Sequence, residues 1–159
     1  MTRLVTRGGA EVVGRRLLAA TEGEFAPLPQ GLPAALVAAL EERGLSSLYR
    51  HQRDAIDRIL GGGNVLLTTG TASGKSLAYQ LPAIARQLED PDATVLALYP
   101  TKALAHDQAR SFAGLAASAG VPAGSVANYD GDTPASQRPA IRSQVRTLIT
   151  NPDMLHAGI

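Results

Sequence analysis

The sequence has no cysteine among its 159 residues, and its three histidines are widely separated. Without cysteine there is no disulfide framework and no metal site built on thiolates. His51, His106 and His156 lie far apart along the chain, so we interpret each as a capping or surface residue rather than a metal ligand. These absences exclude the disulfide-stabilised and thiolate-metal classes of protein.

Excess charge is also missing, because 15 basic and 14 acidic residues give a net charge of +1. No global positive field therefore favours nucleic acid, and any such binding has to come from a local surface. No apolar run approaches the roughly 20 residues of a membrane span, and the N-terminal arginines lack the apolar segment of a signal peptide. We therefore expect a cytoplasmic protein that does not bind a membrane.

Lysine is scarce, since only Lys75 and Lys102 among the 15 basic residues are lysines. Both lie in motifs described below, which gives weak support for lysine chemistry at those positions. The hydrophobic content of 45% with 18% charged residues is typical of a soluble globular chain. A chain of this length allows one domain with a real core but not a second full domain.

The most informative stretch runs from Val65 to Ser76 and reads VLLTTGTASGKS. Its first three residues form a short apolar run typical of a buried parallel strand, and Gly70 and Gly74 allow the backbone to turn sharply. The amide groups of such a loop and of the following helix start form an anion site. Lys75 adds a charge for the β- and γ-phosphates, and Ser76 adds a hydroxyl for Mg²⁺. The stretch therefore predicts a site for a nucleoside triphosphate with magnesium.

This loop departs from the strict phosphate-loop pattern at one position, where Thr69 replaces a glycine. It keeps the Gly-Lys-Ser ending, the apolar run before it and the apolar helix after it. The alternative, a Gly/Ser/Thr-rich turn before an ordinary helix, is the weaker interpretation in that context. The predicted nucleotide-binding residues here are Thr69, Gly70, Thr71, Ala72, Ser73, Gly74, Lys75 and Ser76, with Lys75 catalytic and Ser76 the magnesium ligand.

Upstream of the loop, residues 48–60 predict a helix that ends at the glycines 61–63. Gln52, Ile56 and Ile59 share its core-facing side because they lie at i, i+4 and i+7. A glutamine amide there can pair with N6 and N7 of adenine, as Asn and Gln do on DNA. The alternative is a glutamine that only hydrogen-bonds to backbone at a helix start. Its place just before a phosphate loop favours the adenine contact.

Strands alternate with helices along the chain, which predicts a three-layer α/β architecture with a parallel sheet. Residues 1–30 are interpreted as a partly extended or mobile accessory segment with a possible short helix at 11–20. The expected strands are 65–67, 94–100, 125–129 and 145–150. The expected helices are 33–44, 48–60, 75–88 with a kink at Pro82, 103–119, 134–142 and one that begins at Pro152.

Ligands of such sheets bind beyond the carboxyl ends of the strands, so the residues after each strand are further candidates. Three loops there carry small hydroxyl or amide side chains at a helix start, which suits phosphate groups. Each loop alone can be explained by helix capping, because Thr101, Asp132 and Asn151 are ordinary N-cap types. Their succession behind a phosphate loop favours a track for one strand of nucleic acid. The predicted contacts are Pro100, Thr101, Lys102, Gly131, Asp132, Thr150 and Asn151.

Five segments resemble the motifs of superfamily 2 helicases. LYRHQRDAI resembles their adenine motif, TGTASGKS their motif I, YPTKALAHDQ their motif Ia, and YDGDTP and LITNPDMLH the next two nucleic-acid motifs. The wording is most similar to that of bacterial and yeast DEAD/DEAH-box DNA helicases that carry a cysteine-rich C-terminal domain and act in DNA crosslink repair. The resemblance extends from Leu45 to about Ala157.

This resemblance implies a RecA-like P-loop NTPase fold, with ATP and Mg²⁺ as cofactors and single-stranded DNA, rather than RNA, as the partner. It implies that Gln52 contacts adenine and that Lys75 stabilises the transferred charge. It further implies an incomplete first ATPase domain, which we place at 32–159, after the accessory segment, which we place at 1–31. The remainder of a helicase chain would be needed for activity.

An Asp-Glu pair, which this family uses to hold Mg²⁺ and orient water, does not occur after Ser76. Asp130 is the best substitute, but polar Asn128 lies in its strand and Asp132 belongs to the GD motif. We therefore expect an N-terminal helicase fragment without useful ATP hydrolysis, with an exposed sheet edge and exposed apolar faces. Two alternatives stay open: a P-loop kinase acting on a small molecule, and a non-catalytic nucleotide-binding or partner module.

Overall fold

Short strands alternate with helices in the computed structural model, which describes residues 23–70 and 73–156. The strands are β1 (Phe25–Pro27), β2 (Ser47–Tyr49), β3 (Val95–Leu98), β4 (Val126–Asn128) and β5 (Thr147–Thr150). The helices are α1 (Ala34–Glu41), α2 (Arg50–Leu60), α3 (Lys75–Glu89), α4 (Lys102–Ser118), α5 (Arg138–Gln144) and α6 (Pro152–His156). This alternation confirms the α/β class predicted from the sequence.

A parallel sheet is formed by β3, β5 and β4, with β5 in the middle. Thr147 at the start of β5 lies opposite Val95 on one side and Val126 on the other. Ile149 and Thr150 are fully buried in this central strand. β-branched residues suit such a position because they pack well on a pleated, enclosed surface. The predicted parallel sheet is therefore present. Its central strand, β5, is the last strand along the described part of the chain.

The hydrophobic core lies where α1, α3 and α4 pack together and against β5. The predicted apolar face of α3 holds, since Leu81 and Ile84 are fully buried. Pro82 does not end this helix, which continues to Glu89. Other fully buried core residues are Leu36 and Leu40 of α1, Phe112 of α4 and Ile149 of β5.

An antiparallel pair of short strands, β1 and β2, was not predicted. Phe25 lies opposite Tyr49, and their rings stack with centroids 4.7 Å apart. Strands of three residues are too short to give a period-two pattern, which is why the sequence did not indicate them. Helix α2 consequently begins at Arg50 rather than 48. The helix predicted at 11–20 lies outside the described residues.

The apolar run 65–67 is not a strand, so that prediction was wrong. Leu66 has 87% of its surface exposed. A strand needs a neighbour for its backbone N–H and C=O groups. Within the described residues the parallel sheet contains only β3, β5 and β4, and none of them pairs with this run. Leu96 and Leu98 of β3 are exposed too, which confirms the expected exposed apolar faces.

The last predicted helices and strands are present with shifted bounds. The helix expected at 134–142 is α5 and begins at Arg138, because residues 134–137 form a turn closed by a bond from Gln137 N–H to the Pro134 carbonyl at 2.9 Å. Within 23–70 and 73–156, no helix is long and apolar enough to cross a membrane.

Candidate nucleotide site and nucleic-acid interface

The turn into α3 depends on Gly74, which has a φ of +70°. A left-handed backbone costs roughly 1–2 kcal/mol for a residue with a Cβ. A Cβ at this position would also collide with the amide nitrogen of Gln52. The left-handed turn therefore favours glycine here, and the absence of a side chain leaves room for the Gln52 amide.

Lys75 is held inside the phosphate loop by hydrogen bonds to the loop itself. Its Nζ donates to the carbonyls of Thr69, at 2.9 Å, and Gly70, and lies 3.3 Å from Ser73 Oγ. The hydroxyls of Thr69 and Ser73 are 2.7 Å apart and close the loop. A positive charge thus lies among the residues predicted to surround phosphates. Thr71 and Ala72 lie outside the described residues.

Gln52 is buried, with 3% of its surface exposed. Its Oε1 accepts from the Tyr49 N–H at 2.9 Å, and its Nε2 donates to the Gly74 carbonyl at 2.7 Å. These are the backbone contacts of the alternative interpretation. The amide keeps one further acceptor site and one further N–H, so the adenine contact stays a prediction. What the geometry provides is a direct tie between the start of α2 and the phosphate loop.

Ser76 bonds to a residue that the sequence did not single out. Its hydroxyl donates to Oε1 of Gln108 on α4, at 2.9 Å. Gln108 lies within the segment YPTKALAHDQ, but only the first residues of that segment received a predicted role. A polar residue on an alanine-rich helix gave no periodic signal, and the pairing depends on how α3 and α4 pack.

The three strand-end loops, defined as residues 99–102, 129–133 and 150–151, lie side by side. The Tyr99 N–H donates to the Thr150 carbonyl at 2.9 Å. The Thr150 hydroxyl in turn donates to the Tyr129 carbonyl at 2.5 Å. These bonds place the ends of β3 and β4 on either side of the end of β5. The predicted contacts therefore share one edge of the sheet, as the parallel topology requires.

The first two strand-end loops are joined by an ion pair at the surface. Lys102 Nζ lies 2.8 Å from Asp132 Oδ2, with both side chains exposed. The hydrogen bond to Asp132 raises the pKa of Lys102, so the ammonium group stays charged. Thr101 caps α4, because its Oγ1 accepts from the Leu104 N–H at 3.3 Å. Capping and an exposed cation thus occur in the same loop.

Asp130 fixes the second strand-end loop from inside. It is buried, its Oδ1 accepts from the Asp132 N–H at 2.9 Å, and its Oδ2 lies 3.0 Å from His106 Nε2 and 2.7 Å from Asn128 Nδ2. Burial acts to raise its pKa, but the Asp132 N–H, the bond and charge of His106 and the charge of Lys102 outweigh burial and lower it. The carboxylate oxygens of Asp130 therefore hold the loop through contacts with His106, Asn128 and the Asp132 N–H.

The third strand-end loop is closed to solvent. Thr150 is fully buried and Asn151 is 7% exposed. Asn151 Oδ1 accepts from the Met154 N–H at 2.9 Å and so caps α6. The structure therefore gives these two residues a positioning role, and a direct contact with nucleic acid stays a prediction for them.

No cluster for a tightly ligated metal occurs in the described parts of the chain, where no group of three or more His, Cys, Asp or Glu residues converges. His51 Nε2 lies 3.0 Å from the Ser73 carbonyl, next to the phosphate loop. His106 contacts Asp130. Both histidines thus make contacts within the protein.

The sequence was compared with known protein families, and one family matches most of the chain. Residues 49–159 match the DEAD/DEAH box helicase family. The chain belongs to that family. The phosphate loop and the strand-end loops described above all fall within the matched residues. The helicase resemblance read from the sequence is thereby confirmed.

Two helicases are similar to this chain over much of its length. It is 46% identical to the ATP-dependent helicase HRQ1 of Saccharomyces cerevisiae, over 71% of this chain and 11% of that protein. It is 36% identical to the uncharacterized ATP-dependent helicase YprA of Bacillus subtilis, over 100% of this chain and 21% of that protein. The chain thus spans about a fifth or less of the length of these relatives.

Solved structures agree on the fold. The DUF1998 helicase MrfA, bound to DNA and AMPPNP, superposes with a TM-score of 0.82 at 38% identity, over 87% of this chain and 19% of that one. A DEAD box protein from Methanococcus jannaschii has a TM-score of 0.68 at 20% identity, over 80% of this chain and 36% of that one, and supports the fold alone. The predicted RecA-like helicase fold is therefore confirmed.

Proposed function

We propose that this chain binds ATP with magnesium and single-stranded DNA as the N-terminal part of an ATP-dependent DNA helicase. The observation that carries the proposal is the position of Lys75 and Ser76 at the start of α3, joined through Gln108 to α4, whose own start bears Thr101 and Lys102. A phosphate-binding loop and an exposed cation at the sheet edge are thus connected by one hydrogen bond between neighbouring helices.

The loop suits a triphosphate and a magnesium ion. Helix α3 has 15 residues, so its N-terminus carries the positive end of a helix dipole, which favours an anion. Ser76 supplies the hard oxygen that Mg²⁺ prefers, and magnesium commonly completes its coordination with phosphate oxygens and water. When bound, the ion would neutralise charge between the β- and γ-phosphates. Lys75 would exchange its contacts with loop carbonyls for phosphate oxygens, and Gln52 would contact adenine.

The strand-end loops suit one strand of nucleic acid. Pro100, Thr101, Lys102, Gly131 and Asp132 are all exposed along one edge of the sheet. A DNA phosphate there would compete with Asp132 for Lys102, and the chain has no other lysine in these loops. DNA is favoured over RNA because the similar MrfA structure contains DNA. A part in DNA repair and a cytoplasmic location remain predictions.

Hydrolysis is not proposed for these 159 residues by themselves. No Asp-Glu pair follows Ser76, and the carboxylate of Asp130 is engaged by His106 and Asn128. We expect activity to require further helicase sequence that supplies the missing carboxylates. The boundary between an accessory segment at 1–31 and an ATP-binding domain at 32–159 likewise stays a proposal.

The two lysines provide a crossed test, each serving as the control for the other. A fluorescent ATP analogue with Mg²⁺ and a labelled oligo-dT are titrated with the wild-type chain and with Lys75→Ala and Lys102→Ala. We expect Lys75→Ala to lose most nucleotide affinity and keep DNA affinity, and Lys102→Ala to weaken DNA binding and reduce its salt dependence by about one phosphate contact. Nucleotide binding that survives Lys75→Ala would contradict the proposal.

A further inference from the structure

We propose that Gln108 is a positioning residue for magnesium-nucleotide binding, because its Oε1 accepts the proton of the Ser76 hydroxyl and leaves the lone pairs of that oxygen free for the cation. The inference rests on the proposed function of Ser76. It extends that function to a residue on a different helix, 32 positions later in the chain.

The direction of the hydrogen bond is the first step. A serine hydroxyl has one proton and two lone pairs. If the proton pointed towards the bound cation, the hydroxyl would repel it. Since Ser76 donates to Gln108 at 2.9 Å, the proton is turned towards α4. The oxygen is thereby prepared as a ligand before any ion arrives.

The position of Gln108 is itself fixed by neighbouring side chains. Its Oε1 accepts a second bond from the Tyr79 hydroxyl at 3.0 Å, which fills the second acceptor site of an amide oxygen. Because the Tyr79 proton is directed to Gln108, the Tyr99 hydroxyl is the donor across the 2.5 Å contact with Tyr79. Burial and the bond with Tyr79 raise the pKa of Tyr99, so this donor keeps its proton. Gln80 Nε2, 3.5 Å away, is a longer contact.

These hydrogen bonds connect the first strand-end loop to the phosphate loop. The series begins at Tyr99, the residue before Pro100 in the first strand-end loop, and ends at Ser76 in the phosphate loop. Partners of this kind, which orient a metal ligand without touching the metal, typically change metal affinity by about 10–100-fold when they are removed. A residue that only packed α3 against α4 would not act selectively on the cation.

The test measures the magnesium enhancement, defined as the dissociation constant of a fluorescent ATP analogue in EDTA divided by that in MgCl₂. Gln108→Met keeps the length of the side chain but removes the acceptor, and we expect it to reduce the enhancement about tenfold or more. Gln108→Glu keeps an acceptor and cannot donate when ionised, so it should preserve the enhancement. Gln144→Met, an exposed site on α5, is the matched control.

The outcomes separate the two proposals. If Ser76→Ala lowers the enhancement but Gln108→Met does not, the role of Ser76 stands and that of Gln108 is overturned. If Gln108→Met weakens nucleotide binding equally in EDTA and in MgCl₂, Gln108 is only structural and the inference is also overturned. If Ser76→Ala itself leaves the enhancement unchanged, the magnesium part of the proposed function fails, and the inference fails with it.

Discussion

The phosphate-loop segment, residues 65–76, and the strand-end loops differ in how sequence and structure define them. The phosphate-loop segment carries the motif that is most specific for a function, yet its apolar run pairs with no strand of the described sheets. Leu66 in that run is 87% exposed. The motifs of the strand-end loops can each be explained as helix caps, yet these loops lie at the end of the central strand β5. Ile149 and Thr150 of that strand are fully buried. Specificity of sequence and depth of packing are thus separate properties in this molecule.

The difference teaches what each kind of residue is for. Lys75 and Ser76 are the residues predicted to bind a triphosphate, and their hydrogen bonds go to polar groups of the loop and to Gln108. The strand-end loops serve folding as well, because Asp130 and Thr150 hold the ends of the strands in place. Capping and phosphate binding were treated as alternatives in the sequence, but Thr101 caps α4 while the adjacent Lys102 stays exposed, so one loop can hold a cap and a predicted phosphate contact.

The largest expected effect is on the stability of the central strand. Ile149→Ala removes a fully buried side chain from β5 and should lower the free energy of unfolding by about 2–5 kcal/mol. Leu66→Ala, the matched exposed site in the phosphate-loop segment, should change it by less than about 0.5 kcal/mol. Urea denaturation followed by circular dichroism measures both. Equal losses for the two variants would remove the contrast between the regions.

A smaller effect is expected from the turn into α3. Gly74→Ala forces a side chain into a left-handed backbone and against Gln52, so nucleotide affinity should fall about tenfold or more, which corresponds to about 1.4 kcal/mol. Gly44→Ala is the control, since its φ is +74° but a Cβ there meets nothing within 4 Å. We expect the control to lose some stability and keep its nucleotide affinity, measured by titration of a fluorescent ATP analogue.

The smallest effect concerns Asp130 and depends on pH. Asp130→Asn should cost about 1 kcal/mol at neutral pH, because the loop loses a charged acceptor. The folded-state pKa of this carboxyl lies below 3.8, so its contribution is present above that pH and is lost as the pH falls through the lower folded-state value. Urea midpoints of the two proteins should therefore converge on acidification below 3.8. If the difference between the two urea midpoints stayed constant as the pH fell below 3.8, the charge of Asp130 would not be stabilising the strand-end loops.

The sequence predicted the helices best and the pairing of strands least. The bounds of the helices α1 to α4 fall within a few residues of expectation, and glycines follow α1, α2 and α4. β1 and β2 were not predicted, because a strand of three residues is too short to show an alternating pattern. The strand predicted at 65–67 was wrong for a different reason. Its composition suits a strand, but a strand also needs a neighbouring strand to pair with, and composition does not show whether there is one.

The candidate site was predicted in the same uneven way. Lys75 and Ser76 follow from chemistry that a short motif encodes. Gln108 and His106 could not be chosen from the sequence, because their importance comes from partners far along the chain. Thr150 could be placed at a strand end, but its burial depends on how Tyr129 lies against it.

By itself, the sequence determined the helicase family, the phosphate-loop motif and the order of the helices α1 to α4, because each rests on residue types at short, fixed spacings. Only the tertiary structure decided that β5 lies between β3 and β4, that the ends of these strands meet, and that Ser76 donates its proton to Gln108. Contacts between residues distant in sequence depend on packing, and packing is a property of the whole folded chain rather than of any one segment.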